Sequence, residues 1–295
     1  MSEPTLNYVS CPDATGGHRM AYWQWGAAQA RHVVVCVHGL SRQGRDFDVL
    51  AQALCARAPG LAVVCPDVVG RGRSDWLRDP QGYQVPAYAA DMLQLLQGLQ
   101  PQTLDWVGTS MGGLIGLGLA GQPQLPWPIR KLVLNDVGPV LEWRALQRIG
   151  NYLGEPLRFD SVEQAADALR LISAGFGPHT REQWLALTRP MLKPTADGQA
   201  YTLHYDPAIA VPFRSITPES SARGEALLWQ LYDAVTADTL LLRGADSDLL
   251  SVQTAQAMTR RGPRARLVEF AGVGHAPMLV VPDQVQVVCD FLLGG

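Results

Sequence analysis

The chain predicts an α/β protein whose mostly parallel sheet is covered by helices on both faces. Short apolar runs alternate along it with longer segments in which apolar residues recur at helical spacing. The short runs are continuously apolar rather than alternating, as strands buried on both faces are. They also stop at glycine or proline, the residues that punctuate strand ends. The size permits such a core: 295 residues, 47% of them hydrophobic, and a chain of this length buries about three quarters of its unfolded surface.

In order, residues 32–38 are Val-rich and stop at Gly39, as a buried strand does. Residues 45–58 place Phe47, Leu50, Ala51 and Leu54 at helical spacing before Pro59-Gly60 ends the segment. A second strand, 61–65, is stopped by Pro66-Asp67, and a glycine-rich loop follows at 70–73. Residues 85–99 form a helix with Tyr88, Met92, Leu95, Leu96 and Leu99 on one face. Strand 103–107, helix 111–120 and strand 130–134 continue the rhythm. It breaks after Asp136. From 138 to about 237 the chain carries Trp143, Trp184, Trp229 and many Leu and Ala at helical spacing, with no clear strand. It resumes with strand 239–242, helix 252–260, strand 265–270 and helix 285–292. The expected organisation is a core made of 1–137 and 238–295, with a mostly helical insertion, 138–237, after the sixth principal strand.

Composition removes several classes. Lys and Arg number 24 against 27 Asp and Glu, a net charge of −3, and no basic run suggests a nucleic-acid binder. Arg260, Arg261, Arg264 and Arg266 flank Gly262-Pro263 and read as a solvated corner at a helix end. The apolar fraction excludes disorder, and the longest apolar stretches are too short to span a bilayer. Five cysteines cannot all pair, and no C-x-x-C is present to suggest a zinc or redox site. Cys36 and Cys65, inside strand-like runs, read as small hydrophobes. The first residues lack the basic start and apolar core of a signal peptide. The expectation is a reduced, cytoplasmic protein.

The strongest chemical signal is Gly108-Thr109-Ser110-Met111-Gly112, a G-x-S-x-G between a strand and a helix. Such a turn pushes the hydroxyl out at the carboxyl end of the sheet, with a helix N-terminus beneath it. A serine hydroxyl needs a base, and His275 stands in the loop Gly272-Val273-Gly274-His275, after the last strand. An acid should orient the imidazole. The loop after strand 239–242 offers Asp246 and Asp248, in the Ser, Asp, His chain order of one triad arrangement, and the reading favours Asp248. Asp136 is a third candidate, read as structural. A tetrahedral oxyanion needs two donors: the backbone N–H groups of Met111 and of Leu40, within His38-Gly39-Leu40-Ser41. Just beyond, Arg42 could hold a substrate carboxylate through paired hydrogen bonds. Trp143, Trp184 and Trp229 read as packing residues of the insertion.

These residues together resemble the α/β-hydrolase superfamily over nearly the whole chain. The marks are His38-Gly39, the Asp67-x-x-Gly70-x-Gly72-x-Ser74 turn, Gly108 to Gly113, the loop ending in Asp248, and Gly274-His275. The resemblance implies an eight-stranded, mostly parallel sheet, a helical cap over the site, and no cofactor. A serine nucleophile separates this chain from the members that use Asp there, the haloalkane dehalogenases and epoxide hydrolases. The expected function is hydrolysis of a small-molecule carboxylic ester or lactone through an acyl-enzyme on Ser110. Two alternatives stay open: a C–C bond hydrolase of the meta-cleavage type, and a non-catalytic receptor for a small ligand. No nucleic-acid or membrane partner is expected, and assembly as a homo-oligomer is left open.

Overall fold

The computed structural model describes residues 3–294. Strands β1 (Thr5–Cys11), β2 (His18–Gly26), β3 (His32–Val37), β4 (Leu61–Pro66), β5 (Thr103–Thr109) and β6 (Ile129–Asn135) come first. Helices α1 (Asp48–Arg57), α2 (Val85–Leu99) and α3 (Met111–Ala120) lie between them. The segment that follows β6 holds α4 (Trp143–Tyr152), α5 (Val162–Ile172), α6 (Arg181–Thr188), β7 (Leu192–Pro194), β8 (Tyr201–Leu203), α7 (Ala210–Arg214) and α8 (Pro218–Ala234). The chain closes with β9 (Asp238–Gly244), α9 (Val252–Met258), β10 (Arg266–Phe270) and α10 (Pro282–Leu293).

Eight strands form one sheet in the order β1-β2-β4-β3-β5-β6-β9-β10. From β4 to β10 every neighbouring pair is parallel, while β2 runs antiparallel to both β1 and β4. This is the α/β-hydrolase sheet. Its chemistry follows from the strand sequences. In β3, Val33, Val35 and Val37 enter the core under α2 and α3, while Val34 and Cys36 enter the core under α1 and α10. Both faces are therefore buried, and each valine so covered contributes about 1.5–3 kcal/mol.

Two parts differ from the sequence expectation. The antiparallel strands β1 and β2 precede the first strand the sequence predicts; β1 lies at a sheet edge and alternates between exposed and half-buried residues, so it carries no continuous apolar run. The segment after β6 is not wholly helical, since β7 and β8 pair as a small antiparallel hairpin. Three residues per strand are too few to show a period of two. The last helix of that segment, α8, belongs structurally with the sheet: Tyr232 is fully buried in the main core and its hydroxyl donates to the Met258 carbonyl at 2.7 Å.

Candidate active site

Ser110 stands between β5 and α3 with φ +51° and ψ −115°, in the left-handed half of backbone space, at a cost of about 1–3 kcal/mol for a non-glycine residue. The surrounding chain enforces it. Its N–H donates to the Asn135 carbonyl at 3.0 Å. The turn can close this tightly only because Gly108 and Gly112 have no side chains. A Cβ on Gly112 would run into the Val37 carbonyl, and one on Gly108 into the Gly112 carbonyl.

The Ser110 Oγ lies 2.9 Å from His275 Nε2. On the other side of the ring, Nδ1 lies 2.8 Å from Asp136 Oδ2. A carboxylate only accepts, so Nδ1 carries the proton and Nε2 is left as the acceptor for the serine hydroxyl. Asp136 directly follows β6, is fully buried, and takes φ +55°, a conformation that aspartate tolerates better than most residues. Its Oδ1 accepts from the Gly244 N–H at 2.9 Å, and its Oδ2 also accepts from the Ser247 hydroxyl at 2.6 Å.

This corrects the expectation for the acid. Asp248 does not reach the imidazole; it holds the guanidinium of Arg148 in a two-pronged pair at 2.7 and 2.9 Å, with both side chains half exposed. Asp246 is not hydrogen-bonded to His275 either. The reason is topological. β6 lies beside β5 in the sheet, so the residue after β6 emerges next to Ser110. The loop after β9 contributes donors that orient Asp136 instead of supplying the acid.

The amides of Leu40 and Met111 donate to no other group among the described residues. That of Met111 is the first N–H of α3, one of the donors a helix start leaves unpaired. Arg42 is a second correction. Its Nε and Nη2 are taken by Asp46 at 2.7 and 2.6 Å, and Nη2 also donates to the Leu187 carbonyl at 3.1 Å. The guanidinium lines the cavity with its charge already matched, so it is no free carboxylate receptor.

Two cavities meet at the serine. One of about 500 Å³ is lined by His275, Arg42, Arg148, Met191 and Met278. The other, about 550 Å³ and mostly apolar, is lined by Met111, Leu141, Leu146, Pro212, Phe213 and Leu228. Ser110, Leu40 and Ile149 border both. Trp143, Trp184 and Trp229 line neither. Sequence reasoning gave no role to Tyr205 and Met191, because lining by the insertion depends on how it folds back over Ser110. Away from the site, Cys11, His18 and Asp91 bring three groups of metal-ligand type together. The imidazole of His18 is already held on both sides, by Asp13 and Asp91 at 3.0 Å each. Burial opposes its charge, but those two carboxylates outweigh burial and raise its pKa.

The fold and this constellation place the chain in the alpha/beta hydrolase family, whose sequence profile matches residues 34–288. The chain is 51% identical to the 3-hydroxybutyrate-oligomer hydrolase of Cupriavidus necator, over 100% of its own length and 99% of that protein's. It is 26% identical to an esterase of Mycobacterium tuberculosis over 92% of this chain and 84% of that one. Among solved structures, an alpha/beta hydrolase from Novosphingobium aromaticivorans superposes with a TM-score of 0.86 at 34% identity, covering 99% of each chain.

Proposed function

We propose that this hydrolase cleaves the ester bonds of short 3-hydroxybutyrate oligomers through an acyl-enzyme on Ser110. The hydrogen-bonded line Ser110–His275–Asp136 carries the reaction type. The likeness to the Cupriavidus necator enzyme, over the full length of both chains, supports the substrate.

In the first step His275 Nε2 takes the Ser110 proton as Oγ attacks the ester carbonyl. The negative charge then forming on the carbonyl oxygen is met by the N–H groups of Leu40 and Met111. Asp136 keeps the imidazole in the tautomer this requires and stabilises its cation. Collapse of the tetrahedral species breaks the C–O bond, and the leaving alkoxide receives the proton from Nε2. Water then repeats the sequence on the acyl group and restores the free serine. His275 faces the 500 Å³ cavity, so the leaving hydroxy acid and the water occupy that side. The acyl portion extends into the apolar 550 Å³ cavity.

The test is hydrolysis of the 3-hydroxybutyrate dimer and trimer, followed by release of monomer, with Ser110→Ala alongside. Turnover that falls by at least a thousandfold in the variant is the expected result. Intact protein that leaves both oligomers uncut would refute the substrate. Turnover that survives in Ser110→Ala would refute the mechanism.

A further inference from the structure

The Asp67–Ser74 turn lies against the site but takes no part in the chemistry above. At its centre is Arg71, whose side chain is 0% exposed. Among the described residues no carboxylate pairs with it, although a buried cation without one ordinarily costs several kcal/mol. Its partners are neutral. Nε donates to the Leu40 carbonyl at 2.8 Å, and Nη1 to the Val69 carbonyl at 2.7 Å and the Tyr88 hydroxyl at 3.1 Å. Nη2 rests 3.6 Å from Met111 Sδ. The rings of Tyr88 and Tyr83 lie 5.0 and 5.7 Å from the guanidinium carbon, close enough for an aromatic face to favour the cation.

Two of those contacts fall on Leu40 and Met111, the residues whose amides are free beside Ser110. The same turn grips the neighbouring residue as well. The Val68 N–H donates to His38 Nε2 at 2.9 Å, which leaves His38 Nδ1 to donate to the Gly39 carbonyl at 2.7 Å. Burial lowers the His38 pKa to about 3, and the nearby charges of Arg71 and Arg42 push it in the same direction. The Arg71 guanidinium thus lies beside both His38 and Leu40 of the 38–41 loop.

We propose that Arg71 is a positioning residue for the oxyanion hole: it fixes the Leu40 segment by its carbonyl and supplies an unmatched positive charge that favours the anionic tetrahedral species over the neutral ester. The inference rests on reading Leu40 and Met111 as the oxyanion donors. A charge held in a dry site, against groups that do not reorganise, acts selectively on the state that carries the opposite charge.

The experiment compares Arg71→Met, Arg71→Gln and Arg71→Lys with the unaltered protein, after their melting temperatures establish folding. Three quantities are measured: kcat and KM for p-nitrophenyl butyrate, inhibition by an alkylboronic acid that becomes tetrahedral and anionic on Ser110, and inhibition by the matching neutral amide. In the two uncharged variants kcat and boronate affinity fall together, by roughly ten- to a hundredfold, while KM and amide affinity stay within about threefold. Arg71→Lys, which keeps the charge but loses the fork that reaches the Leu40 carbonyl, recovers part of both losses and stands between the uncharged variants and the unaltered protein. A folded Met or Gln variant with unchanged boronate affinity, or with boronate and amide affinity lost equally, overturns the proposal. Should both uncharged variants fail to fold, Arg71→Lys decides: a loss of the size given for Met contradicts the role of charge, and a smaller loss supports it. An unaltered protein that neither cleaves the ester nor takes up the boronate refutes the reading of the site itself, an outcome distinct from insensitivity of the variants.

Discussion

The Asp136 carboxylate accepts from the Gly244 amide, the Ser247 hydroxyl and the His275 ring, whereas Asp248 faces a guanidinium at the cavity rim. Those surroundings assign the two acids different consequences. Replacing Asp136 by Asn would leave the shape nearly intact, but the amide can donate to Nδ1 and so favours the wrong imidazole tautomer. Asp136→Asn should lower kcat for the 3-hydroxybutyrate dimer by about a thousandfold or more. Asp248→Asn loses a half-exposed ion pair, a contact worth about 0–1 kcal/mol, and should change kcat by less than about fivefold. Steady-state kinetics of the two variants side by side check both; the reverse ranking would put the acid back in the loop after β9. The sequence marks both residues as acids after strand ends. It does not show that β6 lies beside β5, and that adjacency decides between them.

At the scale of elements, the insertion is tied to the core by backbone at the end of β8. The Gly72 N–H donates to the His204 carbonyl at 2.9 Å, and the Asp206 N–H to the Gly70 carbonyl at 2.7 Å. The Tyr83 hydroxyl donates to Asp206 at 2.6 Å. The His204 ring lies in this junction, and burial, with Lys193 and Arg73 near it, lowers its pKa to about 4. Folding therefore costs this residue a proton at mildly acid pH. The unfolded chain binds that proton below its ordinary value near 6.5 and the folded chain does not, so stability falls as pH drops from about 6.5 toward 4. His204→Gln should flatten that slope by up to about 1.4 kcal/mol per pH unit near pH 5. Urea denaturation at several pH values checks it, and an unchanged slope would contradict the depressed value. The long, strongly patterned elements, such as α2 and α3, are legible within a residue or two because both faces of the sheet demand continuous apolar strands and one-sided helices. The junction at β8 is not legible. Its contacts run through main-chain groups, which every sequence offers equally.

For the whole molecule, an eight-stranded sheet carries Ser110, Asp136 and His275 on the loops that follow β5, β6 and β10, at the carboxyl ends of the strands, and the segment after β6 closes over them. Ser110 and His275 were readable from local context, a glycine-bounded turn and a glycine-rich loop. Asp136 and the bracing role of Arg71 needed strand order and the packing of the 67–74 turn. Catalysis as proposed requires a covalent ester on Ser110. It is tested most directly by rapid-quench mass analysis of the intact protein mixed with the 3-hydroxybutyrate dimer. A transient mass gain of one hydroxybutyryl group, located on the peptide containing Ser110 and absent in Ser110→Ala, is the expected result. Steady cleavage of the dimer by the intact protein with no adduct on Ser110 at any time would contradict it.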